Sequence, residues 1–474
     1  MKVKMILPAL TEAKSPYWRP IKYSLFPPLG LALLAAYLAD DDEIEIQDEH
    51  VETLHLEDEP DLVVIEVYIT SAYRAYELAD HYRTRGAYIC LGGLHVTACP
   101  DEAMVHADSI FCGPGEDTWP HFLTDFRAGC PAPVYRSTQR SLVGIPGLRR
   151  DLIKRSKYLV PNSTIVSRGC PHTCEFCYKE SFFKGGRSFY TQPVDRALEE
   201  IEALPGRHLF FLDDNLFANR RFALALFEGM RGMGRLWQAA GTVSAVLDTE
   251  LIDKAVESGL RSLFVGFETF NADNLRAQHK IQNLNRDYDD VVSQLHKRGV
   301  MINASFVYGM DADTPDVFDR TTRWAIAQGI ETATFHILTP YPGTRLYERM
   351  AAQQRMLTHD WHLYDTRHCV YRPAHMTPAQ LEFGYRRSYE QFYAWSNILQ
   401  AAYTKSDRLS ILRHLAYTGG WKKLETIWGF IIKTGLVGKM RPLLERILAG
   451  HELTTEGERQ RTEDRRTATL FART

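Results

Sequence analysis

The sequence predicts an α/β protein in three parts: a doubly wound parallel sheet, a partial (β/α)6 barrel, and a C-terminal helical region. Three observations carry that reading. Short β-branched or apolar runs alternate with helical stretches over the first 130 residues, a second alternation opens at Thr164, and strand signals stop after Leu346. Such alternation lays parallel strands side by side and puts the intervening helices on the sheet faces. The expected boundaries are 1–130 for the first domain, 131–158 for a linker, 159–345 for the barrel, 346–450 for the mostly helical region and 451–474 for a disordered tail.

In the first domain the strand runs are Lys2 to Leu7, Glu43 to Gln47, Asp61 to Tyr68, Ala87 to Leu91 and Ser109 to Cys112. Ligands of a doubly wound sheet bind beyond the strand C-termini. The loops there are Thr70-Ser71, Gly92-Gly93-Leu94-His95 and Cys112-Gly113-Pro114-Gly115-Glu116. Paired glycines either let a large planar or phosphate-bearing ligand approach the backbone or simply make tight turns. The linker is marked by Pro131, Pro133, Pro146 and Gly147 among many arginines.

Barrel strands are expected at Thr164 to Ser167, His208 to Leu212, Trp237 to Gly241, Ser262 to Val265, Ile302 to Val307 and Thr334 to Leu338. Helical patterns such as Val194 to Ala203, Arg221 to Gly229, Asp287 to Arg298 and Asp316 to Ala327 lie between them. Six units fall short of the eight that close a barrel, so one side stays open. Polar residues collect at the strand ends: Asp213-Asp214-Asn215, Thr242 and Ser244, Glu268, and Ser305 with Tyr308. Each is either a ligand contact or a capping or turn residue.

Cys170, Cys174 and Cys177 place three of the eight cysteines within eight residues, on the loop after the strand signal Ile165-Val166-Ser167. Three thiolates hold three corners of an iron–sulfur cube and leave one iron open to a small molecule. A closed zinc site wants four ligands, and no second Cys-x-x-Cys or His pair lies nearby. A disulfide framework fails because three is odd and nothing marks the chain as secreted.

The C-x-x-x-C-x-aromatic-C spacing of Cys170, Cys174, Phe176 and Cys177 resembles the signature of the radical S-adenosylmethionine (SAM) superfamily. That resemblance implies a 4Fe-4S cluster on the three cysteines, with SAM on the open iron. It equates Gly266-Phe267-Glu268 with the Gly-Gly-Glu motif that receives the SAM amino group, with Phe267 in place of the second glycine. Phe176 matches the position whose backbone meets adenine, and Tyr341-Pro342-Gly343-Thr344 resembles a loop beside it. Thr242 and Ser305 are further expected SAM contacts.

The first domain in turn resembles the cobalamin-binding domain that precedes the radical SAM core in the class B type of methyltransferases. The implied cobalamin contacts are Thr70, Ser71, Gly92, Gly93, Leu94, His95, Gly113, Gly115 and Glu116. The D-x-H-x-x-G motif of cobalt-ligating domains is missing after the first strand. Asp48-Glu49-His50 imitates its first half after the second strand, so His50 reads as a surface or helix-capping residue and cobalt as lacking a histidine. Tyr17-Trp18-Arg19-Pro20, with Tyr23 and Phe26, either covers the corrin or plugs the core.

The implied activity is methyl transfer to an unactivated carbon. A 5′-deoxyadenosyl radical takes a substrate hydrogen, methylcobalamin supplies the methyl group, and a second SAM restores it. The alternative is a radical cyclase or oxidative rearrangement enzyme of the same architecture; a sensor without turnover would need a DNA- or partner-binding module, and no helix-turn-helix signal is present. Implied partners are a small-molecule or lipid-like substrate and a flavodoxin- or ferredoxin-type electron donor.

Composition sets the outer bounds. The 474 residues are 45% hydrophobic and 24% charged, with a formal net charge of -3 that gives no general drive toward nucleic acid. No signal peptide is evident, and no uncharged apolar stretch reaches the roughly 18 residues of a membrane span. A cytoplasmic location follows, consistent with scattered free thiols. Residues 421–448 carry Trp421, Leu424, Ile427, Trp428 and Ile431 at helical spacing among lysines, which fits a core or partner-binding helix or a peripheral membrane contact. Cys369 reads as a packed thiol or a group beside the substrate.

Overall fold

The computed structural model describes residues 1–13, 25–423, 431, 434 and 436–449. The aromatic loop 17–23, the tail from 451 and most of 424–435 therefore lie outside the described residues. Two six-stranded sheets, each parallel throughout, organise the chain. The first joins β1 (Lys2–Leu7), β2 (Glu43–Asp48), β3 (Leu62–Glu66), β4 (Tyr88–Gly92), β5 (Ser109–Cys112) and β6 (Val134–Arg136) in the order β2-β1-β3-β4-β5-β6. Near-continuous apolar runs such as Leu62 to Ile65, buried on both faces, are what a helix-covered parallel sheet requires.

β6 lies in the stretch read as linker. It pairs in parallel with β5, and the Tyr135 ring stacks on Phe111 with centroids 5.2 Å apart. Pro131 and Pro133 just before it disguised a three-residue edge strand, a position where proline is tolerated. The first sheet thus extends past the expected boundary at 130.

The second sheet starts with β7 (Ser163–Thr164). An antiparallel hairpin of β8 (Ser167–Gly169) and β9 (Phe189–Thr191) follows, which the sequence reading did not separate from β7. Then come β10 (His208–Phe211), β11 (Leu236–Gly241), β12 (Leu260–Glu268), β13 (Met301–Tyr308) and β14 (Thr332–Ile337), in the order β14-β13-β12-β11-β10-β7. The barrel strands follow one another in space, and β14 and β7 are the outer strands of an open barrel.

Tyrosine hydroxyls cap the β14 edge. The helix Pro378–Phe392 and the residue after it present Tyr389 and Tyr393, four apart, to alternate residues of the strand. Tyr393 Oη accepts from Ala333 N at 3.0 Å and donates to Ala333 O at 2.8 Å; Tyr389 Oη does the same for Phe335 at 3.1 and 3.2 Å. The pairing satisfies backbone groups that would otherwise be buried unpaired. Tyr393→Phe strands both polar groups of Ala333 and is expected to lower the unfolding free energy by about 1–3 kcal/mol, measured by denaturant titration.

The opposite end of the barrel is covered by the helix Val437–Ala449. Val437, Leu444 and Leu448 pack against Leu159, Val160, Leu236 and Met301. This part of 421–448 is therefore a core helix whose apolar face is already used, while 424–430 lies outside the described residues. Among the described residues no helix is long and apolar enough to cross a membrane. Cys369 is buried, and its thiol donates to Tyr371 O at 3.0 Å, as a packed thiol would.

Candidate active site

The cysteine loop leaves the hairpin at Gly169, whose φ of +74° and position against Ser188 O admit no side chain. Cys170 N then donates to Ser188 O at 3.0 Å. Lys179, buried on the short helix after the loop, donates to Cys170 O at 2.8 Å and to His172 O, fastening the loop from inside.

Asp213-Asp214-Asn215, at the end of β10, grips the same loop from the other side. Asp213 Oδ1 accepts from Ser167 N and Oγ at 2.5 Å each. Asp214 Oδ2 accepts from Gly169 N at 3.0 Å, and its Oδ1 accepts from the Tyr178 hydroxyl. Asn215 Nδ2 reaches Cys170 Sγ at 3.6 Å. The triplet thus positions the cysteine loop, where the sequence left a contact with ribose or substrate open.

Burial pushes the Asp213 carboxyl from its ordinary 3.8 up to about 7, against the opposing hydrogen bonds from Ser167 and Val166. The folded state then holds a proton that the unfolded chain has already released, so Asp213 makes stability fall as pH rises from about 4 to about 7. Asp213→Asn should flatten that part of the profile, by up to roughly 4 kcal/mol, when urea midpoints are compared across the window.

Whether these residues suit a cluster is decided by the donor set. Cys174 is buried and Cys170 and Cys177 are partly buried, and amide donors aim at two of the sulfurs: Asn215 at Cys170, and Gln282 Nε2 at Cys174 from 3.5 Å. N–H donors to sulfur stabilise thiolates and tune a cluster's potential. Asn215 Oδ1 is itself buried without a partner. Burial pushes the Cys177 thiol up to about 12, so it stays protonated until a cation replaces the proton. Among the described residues no three His, Cys, Asp or Glu side chains converge on a single ion. A cube takes one thiolate per iron, and the donor set fits it.

Glu268 closes β12 at a register shift between Gly266 and Glu268 and adopts φ +65°, left-handed for a residue with a side chain. Such a bulge re-aims a side chain, and such strain persists where function requires it. Glu268 Oε1 accepts from Lys280 Nζ at 2.6 Å. A Cβ on Gly266 would stand 2.5 Å from that carboxylate oxygen, so a larger residue there would push the Glu268 side chain aside. Burial alone would lower the Lys280 pKa, but Glu268 outweighs it, with smaller help from Cys174 and Cys177, and holds the amine well above its usual range.

Lys280 belongs to a loop, Gln278 to Asn283, that the sequence reading missed. Gln278 O accepts from Glu175 N at 3.1 Å, Gln282 reaches Cys174, and Asn283 Nδ2 donates to Gly266 O at 2.8 Å. The loop therefore bridges the end of β12 to the cysteines.

The other expected SAM contacts are distributed around this bridge. The Phe176 ring lies under Lys280 Nζ at 5.9 Å, and Ser305 is buried on β13, paired in register with Gly266. Thr242 is spent as a helix cap, accepting from Ala245 N at 3.3 Å and meeting Ser244 Oγ at 3.0 Å. Tyr341 is half-buried against the core, its phenol raised by burial and then by Glu12 and Asp365.

A cavity of about 590 Å³ opens between the C-terminal edge of the first sheet and the cysteine loop. Gly92, Gly93, Leu94, Gly113, Gly115 and Glu116 line one wall, and Ser167, Arg168, Tyr178 and Asp214 the other. Its deep end runs along Leu33, Leu34, Val64, Phe111 and Trp119, an apolar slot between the first helix and the sheet. Glu116 Oε1 accepts from Arg168 Nε at 2.8 Å, tying the two walls together.

The glycines divide. Gly93 has φ +112° and its Cβ would meet Val67 O at 2.8 Å, so the fold's own backbone requires it. At Gly92 and Gly115 the nearest atoms to a Cβ would be Phe111 Cβ and a Leu34 methyl, each at 3.4 Å, and the bare wall serves the cavity. A large, mostly apolar cleft with glycine walls and a deep slot fits a corrin with its nucleotide tail.

Three expected contacts are not on this cavity. Thr70 O accepts from Thr11 Oγ1 at 2.6 Å, and Ser71 Oγ caps Tyr68 N at 3.2 Å, both buried in the turn after β3. His95 points into the domain, where Nε2 meets Glu102 at 3.2 Å and the ring packs edge-on against Trp361. His50 is buried rather than on the surface, with Nδ1 on Asp48 at 2.8 Å and Nε2 accepting from Leu10 N at 3.2 Å. Both nitrogens are held within the fold.

Comparison with known proteins agrees with this geometry. Residues 164–325 match the model of the radical SAM superfamily, and residues 23–123 match that of the B12 binding domain. The chain is 29% identical over 353 residues to bacteriochlorophyllide d C-12(1)-methyltransferase of Chlorobaculum tepidum, covering 72% of this chain and 76% of that one. It is 24% identical over 388 residues to the anaerobic magnesium-protoporphyrin IX monomethyl ester cyclase of Cereibacter sphaeroides, covering 71% and 60%. The fold matches the cobalamin-dependent SAM radical enzyme OxsB, solved with aqua-cobalamin and SAM, with a TM-score of 0.62 at 13% identity over 99% of this chain and 81% of that one.

Proposed function

The chain belongs to the radical SAM superfamily and carries a B12-binding domain ahead of the barrel, and on that premise we propose that it methylates an unactivated carbon of a small, largely apolar substrate. The observation that carries the proposal is the cavity walled on one side by the B12-domain loops and on the other by residues flanking the cysteines. When bound, the cluster with SAM supplies a carbon-centred 5′-deoxyadenosyl radical and cobalamin supplies the methyl group.

The chain's own residues do the rest. Cys170, Cys174 and Cys177 hold the cluster, while Asn215 and Gln282 direct N–H groups at sulfur. Glu268 receives the SAM ammonium through a charge-assisted hydrogen bond. Gly92 and Gly115 leave space for the corrin, and the Arg168–Glu116 pair fixes the barrel against the B12 domain. Apolar walls exclude water from a radical that any adjacent group would quench.

A low-potential flavodoxin- or ferredoxin-type donor would deliver the electron, and a reducing cytoplasm suits the exposed Cys130 thiol. The cyclase relative supports a second reading, radical ring closure without methyl transfer. Anaerobic reconstitution with cluster, cobalamin, SAM and reductant tests the shared chemistry. 5′-Deoxyadenosine should form well above a Cys174→Ala control, and formation at the control level would sink both readings.

A further inference from the structure

The helices after residue 394 carry a surface that the proposed reaction does not use. Among the described residues twelve large apolar side chains are exposed, and six of them, Trp395, Leu399, Tyr403, Leu412, Leu436 and Leu443, fall between residues 395 and 449. Trp395, Leu399 and Tyr403 stand four apart, so they line one face of the helix Trp395–Ala402 and the residue after it. Neighbouring helices continue the layer. A Cβ on Gly419 would meet the Trp395 ring at 3.1 Å, and Arg413 of the helix Arg408–His414 donates to Ile447 O and Leu448 O at 2.8 and 3.1 Å. The helix Val437–Ala449 spends its inner face on the barrel, while Leu443 and, just before the helix, Leu436 stay outside.

Exposed charge on this layer has one sign. Arg408, Lys439 and Arg446 are exposed, and no acidic residue among the described ones of 395–449 is. Asp407 caps a helix by accepting from Ser410 N at 2.9 Å, and Glu445 accepts from His208 N at 3.3 Å. In sequence, residues 395–449 hold nine lysines and arginines against three acids, in a chain whose formal net charge is -3.

An apolar surface set among cations, with tryptophan and tyrosine in it, matches the boundary between anionic lipid headgroups and acyl chains. A second copy of this chain matches it less well, because a two-fold interface would set the cations against their own counterparts. We propose that residues 395–449 form a peripheral docking surface for an anionic lipid bilayer, with the apolar side chains in the headgroup–acyl boundary and Arg408, Lys439 and Arg446 on lipid phosphates. Each helix packs on the protein with one side and shows apolar groups on the other, so the contact runs along the bilayer surface. None of these residues lines the cofactor cavity, and the proposal does not depend on the reaction assigned above.

The test is co-sedimentation of the cofactor-loaded full chain with vesicles of phosphatidylcholine alone or of phosphatidylcholine mixed with phosphatidylglycerol. The protein should bind the mixed vesicles, and added salt should weaken that binding. Leu399→Ser with Leu412→Ser should lower the partition by about tenfold, and Arg408→Glu with Lys439→Glu should remove the preference for the anionic vesicles. All four side chains are exposed, so the melting temperature should stay at the wild-type value; if the leucine pair melts early, the charge pair still decides. Absence of binding to the mixed vesicles, or binding that neither pair of substitutions weakens, would overturn the proposal. A dimer in sedimentation equilibrium that the leucine substitutions dissociate, without vesicle binding, would assign the face to a second copy instead.

Discussion

A valine at Gly92 is expected to abolish cobalamin binding while leaving the cluster and the fold intact. An added Cβ there meets Phe111 Cβ at 3.4 Å, an ordinary contact, and the position carries no left-handed φ. Gly92 lines the cavity, so the bulk of a valine there comes at the cavity's expense. Cobalamin uptake, read from visible absorption after gel filtration, should fall below detection, while the charge-transfer absorbance of the cluster and the melting temperature stay at wild-type values. Gly93→Val cannot make the same distinction. Its side chain would strike the Val67 backbone at 2.8 Å, so loss of binding there reports on the loop.

The second large effect is expected at Glu268. Glu268→Gln keeps shape and one acceptor but removes the charge that faces the SAM ammonium. Charge-assisted bonds are worth about 1.5–3 kcal/mol, so SAM cleavage at limiting SAM should drop by roughly ten- to a hundredfold. The cluster spectrum should not change, because no cysteine contact passes through Glu268. A drop accompanied by cluster loss would instead mean that the variant has dislodged the Lys280 loop.

These two sites also show what the sequence could and could not disclose. The cysteine triplet and the six barrel strands were legible because spacing and periodicity are local. The glycine loops were legible too, but not the division of labour within them: Gly93 answers to Val67 and Gly92 to the cavity, a difference set by contacts between strands. His95 looked like a loop residue facing the ligand, whereas the short helix that begins at Leu94 turns its ring inward against Glu102 and Trp361.

Lys280 was hidden for a related reason. Nothing in Gln278-His279-Lys280 marks a site until the bulge at Glu268 and the hairpin carrying the cysteines bring the loop between them. Asp213-Asp214-Asn215 gave the opposite difficulty. Its position at a strand end suggested contact with a ligand, and only the hydrogen bonds to Ser167, Gly169 and Tyr178 identify it as the grip on the cysteine loop. β6 was obscured by the prolines before it.

Methyl transfer is the central claim, and it can be tested before any substrate is known. The protein, loaded with cluster and reduced cobalamin, is incubated anaerobically with SAM labelled in its methyl group, and label is counted on cobalamin and on small-molecule products. Methyl transfer predicts about one labelled methyl per bound cobalamin, matched by an equal amount of S-adenosylhomocysteine, and neither in Gly92→Val. SAM consumed only to 5′-deoxyadenosine and methionine, with cobalamin unlabelled, would contradict methyl transfer and leave the cyclase reading in its place.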